Sequence, residues 1–537
     1  MGRRTPDHSV ASQARQFAPS SRVFRWWDYP LFLLLTGLSV SAIAYFLSYW
    51  FSGGDWTSHP AVFSILTLML LGTLLNNQAR WFLLPLMRKP GPPGRPSSWK
   101  VAVVTTFVRG AESIEMLAES VEALTALDYP HDTWVLDEGN SDEVRTLCRR
   151  LGAHHFSRKD LPQYQTERGP FQAGSKYGNY NAWLQEIGFG RYDIVTGFDP
   201  DHVPDSDFLS QVLGYFEDPQ VAYVQVAQAY YNQQASFVAR GAAEETYDFY
   251  SSVAMTSYGM GYAILIGAHN TQRLSALKQV GGYPAHDAED LLLGLYYHSL
   301  GWRGVYVPKI AARGLTPVDW QAYLQQQRRW ARSLLDVRWR GYPPLSAAPS
   351  LKTRAINLLE GVNYLRRSLV ILTSLALLAY MLASGSAPRV VSFETLPRLA
   401  VLVGVMQLCR LYRQRFYLDW RREWGVHWRA GVLQMAKWPY TLLALWDVMA
   451  GRQVGYAITR KVAPVSATHA LLGPHLLVVA VMCAAWAIGL TSGAGVSPMV
   501  QIGALVTVAG SLALIATERM RFQVPYRRDL GPGRYRS

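Results

Sequence analysis

Residues 197–204 read Gly-Phe-Asp-Pro-Asp-His-Val-Pro. The apolar run before them, 192–196, has the character of a buried strand that ends in a turn. Asp199 and Asp201 therefore project from a rigid edge toward a common point. Mg²⁺ and Mn²⁺ take hard oxygen ligands and accept phosphate oxygens beside them, so the pair can seat a metal–diphosphate. The same Asp-Pro-Asp also serves as plain turn chemistry.

Three further groups carry reactive side chains. Asp137, in Val135-Leu136-Asp137-Glu138-Gly139, stands at the carboxyl end of an expected inner strand, where α/β sheets bind ligands. Lys176, with Asn179 and Asn181, precedes a helix. In His286-Asp287-Ala288-Glu289-Asp290, acidic residues open an apolar helical run. Such residues can be N-terminal caps. Asp290 is also placed to be the general base that a sugar hydroxyl needs when it attacks. Last comes Gln326-Gln327-Arg328-Arg329-Trp330. Arg329 can neutralise a leaving diphosphate by bidentate contact, and Trp330 offers a flat face to a sugar ring. A basic, aromatic stretch of this density also suits an interfacial helix.

The chain that positions these residues has 537 positions, too many for one ordinary core. Half are hydrophobic and 17% charged, with a net charge of +14, which indicates membrane segments with basic loops rather than nucleic-acid binding. Cys148, Cys409 and Cys483 form no disulfide framework and no metal spacing. They fit a reducing compartment or a bilayer. After a basic tail at 1–28, apolar runs at 29–51 and 61–75 predict two spans within 29–84. With no small-residue cleavage site in view, the first reads as an anchor. Composition then turns to that of a soluble domain over 98–345. Strand-like runs at 101–107, 133–136, 193–198 and 222–227 alternate with helical stretches such as 113–127, predicting a mostly parallel sheet. Apolar runs resume at 369–383, 396–408, 470–490 and 498–516, giving four more spans in a region over 362–518. Lys and Arg crowd the loops that the positive-inside rule then assigns to the cytosol. The same rule makes 428–450 an amphipathic interfacial helix rather than a span, and puts both ends, including the 519–537 tail, and the α/β domain inside.

Asp137, Asp199-x-Asp201, Glu289-Asp290 and Gln326-x-x-Arg329-Trp330 occur in one order with domain-like separations. The set resembles the D, DxD, (T)ED and QxxRW pattern of processive family 2 glycosyltransferases, which include cellulose, chitin and hyaluronan synthases. Tyr456-Ala457-Ile458-Thr459-Arg460-Lys461, within 452–465, looks like the FxVTxK gating loop of the cellulose synthases. The resemblance implies an α/β domain of GT-A (Rossmann-like) type inserted between transmembrane helices. It implies an inverting transfer from a UDP-sugar, UDP-glucose first, with Mg²⁺ or Mn²⁺. The product would be a β-glucan such as cellulose, and another β-polysaccharide remains open. Asp137 would contact the uracil–ribose end and Lys176 the diphosphate. Asp199 and Asp201 would hold donor and metal, and Asp290, beside Glu289, would deprotonate the acceptor. Gln326, Arg329 and Trp330 would bind diphosphate and acceptor, while Thr459 and Lys461 would close over the nucleotide. Implied partners are the donor, the growing chain, the bilayer of the plasma (inner) membrane and an accessory subunit outside it. Three departures stand out: Asp-Glu-Gly replaces the usual Asp-Asp-Gly, Ala288 replaces Thr, and 104–107 lacks the common Pro-Thr-Tyr. The short tail predicts no PilZ domain. A catalytically silent scaffold or channel subunit is the alternative from another class.

Overall fold

The computed structural model describes residues 20–110, 112–341, 351–452, 469–493 and 495–519. Thr459, Lys461 and the rest of the expected gating loop after position 452 lie outside the described residues.

Eight strands among the described residues form one sheet: β1 (Val101–Phe107), β2 (His131–Asp137), β3 (His154–Phe156), β4 (Ile194–Phe198), β5 (Val203–Pro204), β6 (Val221–Tyr230), β7 (Asn270–Arg273) and β8 (Arg303–Gly314). Their order is β3-β2-β1-β4-β7-β6-β8-β5. The sequence of β1, Val-Ala-Val-Val-Thr-Thr-Phe, is buried at every position, as a central strand covered on both faces requires. It pairs in parallel with β2, Phe107 opposite Asp137, and with β4, Thr105 opposite Phe198. That register brings Asp137 and the Asp-Pro-Asp turn to one edge of the sheet.

The sheet is mostly parallel, as expected, and two short strands, β5 and β7, run against the rest. The short strand β7 runs antiparallel to both β4 and β6. Its sequence, Asn-Thr-Gln-Arg, has no apolar run and gives no periodic signal. The reversal matters, because Gly197 pairs with Asn270, so the loop entering β7 lies at the same edge as the Asp-Pro-Asp turn.

Helices run in the order α1 (Tyr29–Phe51), α2 (Pro60–Phe82), α3 (Ile114–Thr125), α4 (Asp142–Leu151), α5 (Lys176–Trp183), α6 (Phe237–Asp248), α7 (Glu289–Ser299), α8 (Trp320–Asp336), α9 (Leu351–Ser384), α10 (Thr395–Gln414), α11 (Trp428–Met449), α12 (His469–Thr491) and α13 (Pro498–Arg519). Five stretches among the described residues are long and apolar enough to cross a membrane: Trp26–Phe51, Pro60–Leu86, Gly361–Ser384, Leu471–Thr491 and Pro498–Ala516. Six spans were expected. The missing one corresponds to α10, whose Arg398, Arg410 and Arg413 place a charge near both ends of a 20-residue helix. Even so, Leu402 of α10 packs in one apolar cluster with Phe46 of α1 and Phe63 of α2. Leu33, Leu68 and Leu477 are 60%, 75% and 64% exposed, the outward apolar surface that lipid would cover.

Helix α11 lies against the α/β domain rather than apart from it. Leu433 and Ala436 of α11 bury against Trp320 and Tyr323 of α8. An acidic row on α6 receives basic residues from the surrounding helices. Glu244 pairs with Arg429 at 3.5 Å, Glu245 with Lys437 at 3.0 Å, and Asp248 with Arg413 at 3.0 Å.

Candidate active site

Each reactive side chain is set by a local feature of its segment. Asp199 follows β4 directly, and Asp201 is held by the backbone N–H of Leu315, which donates to its Oδ2 at 3.0 Å. Asp201 and His202 are 3% and 1% exposed, and one ligand atom from each of Asp199, Asp201 and His202 lies within 4.8 Å of the others. Two carboxylates and an imidazole at that spacing fit a hard or borderline divalent cation such as Mn²⁺ or Mg²⁺. His202 was not singled out from sequence, although it directly follows Asp201. Behind it stands His269, fully buried, with ring centroids 4.5 Å apart. Burial, with His202 nearby, keeps His269 neutral by pushing its pKa well below the usual imidazole value.

Lys176 is the first residue of α5, whose Ser175 cap accepts from the Gly178 N–H at 3.1 Å. A cation at a helix N-terminus opposes the helix dipole, so its placement needs a compensating anion. Asp199 supplies it, with Lys176 Nζ donating to Oδ1 at 2.6 Å and to the carbonyl of Gly267 at 3.0 Å.

Gly267 also faces Glu289 and Asp290. A carbon added at its α-position would lie 3.4 Å from Asp290 Oδ2 and 3.7 Å from Glu289 Oε1. Lys176, Tyr180, Gly267, Asn270, Glu289 and Asp290 thus line one recess. Burial, with Asp290 alongside, raises Glu289 to about 8. Burial also raises Asp290, against the pull of the Leu291 N–H and Lys176. Both shifts favour the protonated form of the pair and increase the basicity of its carboxylate.

Asp137 is fully buried and lies outside that recess. Its oxygens accept from the backbone N–H groups of Gly139 at 2.9 Å and Ser141 at 2.5 Å, and from His155 Nε2 at 3.2 Å. Burial raises its pKa, but these donors outweigh burial and hold it below the usual carboxylate range. The departure at Glu138 has a structural use. Its longer side chain meets the fully buried Arg158 through two hydrogen bonds of 3.1 and 2.9 Å. Arg158 also donates to the carbonyls of Tyr164, Phe171, Gln172 and Ser175, so it organises the whole segment leading into α5. No sequence spacing marks that role.

Helix α8 begins at an Asp319 cap that accepts from the Ala322 N–H at 2.7 Å. Gln326, Arg329 and Trp330, at i, i+3 and i+4, share one face, and Trp330 is 46% exposed. Arg328, pointing elsewhere, donates twice to Asp447 of α11, at 2.9 and 2.6 Å. Further along α8, Arg332 meets Asp287 at 3.4 Å and Asp336 meets His286 at 3.1 Å, joining the helix to the segment that carries Glu289 and Asp290.

An Asp-x-Asp turn, a neighbouring lysine and a half-buried carboxylate pair thus meet at one edge of a mixed α/β sheet. Residues 100–333 match the family described as glycosyltransferase like family 2. The cellulose synthase catalytic subunit (UDP-forming) of Pseudomonas fluorescens is 27% identical over 235 residues, which cover 42% of this chain and 30% of that protein. The β-monoglucosyldiacylglycerol synthase of Synechocystis is 30% identical over 236 residues, 42% of this chain and 47% of that one. The chain thus matches less than half the length of either relative. A solved mannosyltransferase from Pyrobaculum calidifontis, in complex with GDP-Man and Mn²⁺, superposes with a TM-score of 0.48 at 17% identity. That superposition covers 73% of this chain and 99% of the other.

Proposed function

We propose that this protein is a membrane-embedded, inverting and processive glycosyltransferase. It would extend a β-glucan from a UDP-sugar, UDP-glucose first, and move the product across the plasma membrane from a cytosolic catalytic domain. The observation that carries the reading is the shared recess. Lys176, bonded to Asp199 of the Asp-x-Asp pair, lines it together with Glu289 and Asp290.

In this reading, Asp199, Asp201 and His202 would hold Mg²⁺ or Mn²⁺, which supplies charge neutralisation for the diphosphate when bound. Lys176 and Arg329 add positive charge where the leaving group develops negative charge. Asp290 takes the proton of the acceptor hydroxyl as its oxygen attacks the anomeric carbon. The bond from that carbon to UDP breaks on the opposite face, which inverts the configuration. Glu289, whose carboxyl is raised by burial and by Asp290, supplies a hydrogen-bond donor beside the base when it holds a proton. Asp137 orients the nucleoside end through the turn it holds, Gln326 and Trp330 flank the acceptor, and Thr459 and Lys461 close over the nucleotide. The receiving partner is an accessory subunit outside the membrane.

A second reading is transfer of one glucosyl group to a lipid acceptor, favoured by the Synechocystis relative, which carries that kind of name. Both are tested by following UDP release from a panel of UDP-sugars, with GDP-mannose as a control. The purified protein is assayed with Mg²⁺, with Mn²⁺ and with chelator, beside Asp290→Asn. Polymer that a linkage-specific β-glucanase digests supports the first reading. A glucosylated diacylglycerol formed only when lipid is added supports the second. Asp290→Asn should lose about 10²–10⁴-fold in turnover while keeping UDP affinity. Full turnover in that variant removes the base from both.

A further inference from the structure

The segment before the base is built in an unusual way. Ala288 occupies the cap position of α7 and contributes no side-chain hydrogen bond to the first turn. A serine, threonine, aspartate or asparagine there would satisfy one of the orphan N–H groups and fix the direction of the helix start. In this chain the methyl of Ala288 instead packs with Leu292 and with Val337 beyond the end of α8. His286, two residues further back, instead satisfies the N–H of the cap residue itself. The backbone N–H of Ala288 donates to His286 Nδ1 at 3.0 Å, and His286 Nε2 lies 3.1 Å from Asp336 Oδ2. With Nδ1 accepting, the ring proton resides on Nε2 and points at Asp336. Both side chains are buried, at 8% and 6% exposure, so this chain of bonds is shielded from water. Asp287 repeats the attachment through Arg332 at 3.4 Å.

Asp336 and Arg332 belong to the same helix as Gln326, Arg329 and Trp330. Two bonds and an apolar contact therefore join the helix of the diphosphate-binding residues to the turn from which Asp290 projects.

We propose that His286, braced by Asp336, is a positioning residue that aims the Asp290 carboxylate at the acceptor hydroxyl. The proposal rests on the reading of Asp290 as the general base. A displacement of roughly 1 Å in a catalytic group can cost about 10²-fold in rate. His286→Ala and Asp336→Ala are each expected to lower kcat by about 10- to 100-fold. The donor KM and the UDP Kd should stay within about threefold of the parent protein. The double variant should be no slower than the slower single one, because the two side chains act as one unit. His286→Asn should recover much of the loss, since an asparagine oxygen can accept from an N–H two residues on.

The full-length protein in detergent serves for all measurements, with Asp290→Asn beside them. If Asp290→Asn keeps its turnover, the base assignment fails and the positioning role falls with it. If Asp290→Asn is inactive but His286→Ala keeps its kcat, the positioning role alone is wrong. Loss of UDP binding together with kcat in both alanine variants assigns the pair to folding and overturns the proposal. Additive losses in the double variant overturn the link between the two residues.

Discussion

The ammonium of Lys176 lies 2.6 Å from Oδ1 of Asp199 and 3.0 Å from the carbonyl oxygen of Gly267. One side chain therefore ties the Asp-Pro-Asp turn after β4 to the loop that faces Asp290. Charge-assisted hydrogen bonds of this kind are worth about 1.5–3 kcal/mol. Lys176→Met should weaken UDP binding by roughly 10- to 100-fold in titration calorimetry with Mn²⁺ present. An unchanged UDP Kd would show that the lysine serves only the apoprotein.

Gly314 closes β8 directly beside the His202 ring. A carbon added at its α-position would overlap Cδ2 and Nε2 of that ring. His202 is 1% exposed and cannot swing aside into solvent. Gly314→Ala is expected to displace the imidazole and lower Mn²⁺ affinity by at least tenfold, with a smaller effect on the melting temperature. Equal Mn²⁺ titrations for variant and parent would remove His202 from the metal site.

Glu289 has a sign that can be checked. Its pKa is raised to about 8 by burial and by Asp290, whereas the unfolded chain would titrate at an ordinary glutamate value. Between those two pH values the folded protein holds a proton that the unfolded chain releases. Stability from this group therefore falls as pH rises from about 4.3 to about 8. Glu289→Gln removes that proton. The melting temperature of the variant relative to the parent should climb between pH 5 and pH 8. Parallel curves over that window would place Glu289 in an ordinary solvated setting.

Arg328 donates twice to Asp447, which is only 1% exposed. Removing the partner of a buried charge costs about 3–5 kcal/mol when both groups are buried. The Arg328 side chain keeps 38% of its surface, so solvent screening reduces the figure. Arg328→Ala should destabilise by about 2 kcal/mol, read as a lower melting temperature. The doubly neutral Arg328→Leu/Asp447→Leu should recover most of it. No recovery would mean that the two residues act separately.

Several features of this fold were legible in the residues themselves. Strands β1, β2 and β4 announce themselves because buried parallel strands are near-continuous apolar runs. The Asp-Pro-Asp turn follows from where one of those runs stops. Five membrane-length helices follow from the length of their apolar stretches. The limit shows at β7 and α10. A four-residue polar strand carries no period, and arginines near the ends of an apolar helix leave its relation to a bilayer undecided by composition.

The sequence alone determined which groups could do chemistry, because carboxylate, ammonium and guanidinium keep their chemistry in any fold. It also determined that an α/β unit lies between apolar helices, because burial demands one-dimensional patterns that can be counted. Only the tertiary structure decided what those groups do to one another. Lys176 and Asp199 are 23 positions apart, His286 and Asp336 are 50 apart, and Arg328 and Asp447 are 119 apart. Such pairings depend on register and helix packing, and the raised carboxyls of Glu289 and Asp290 depend on the burial that packing creates. Those distances and local fields arise only when the chain closes on itself.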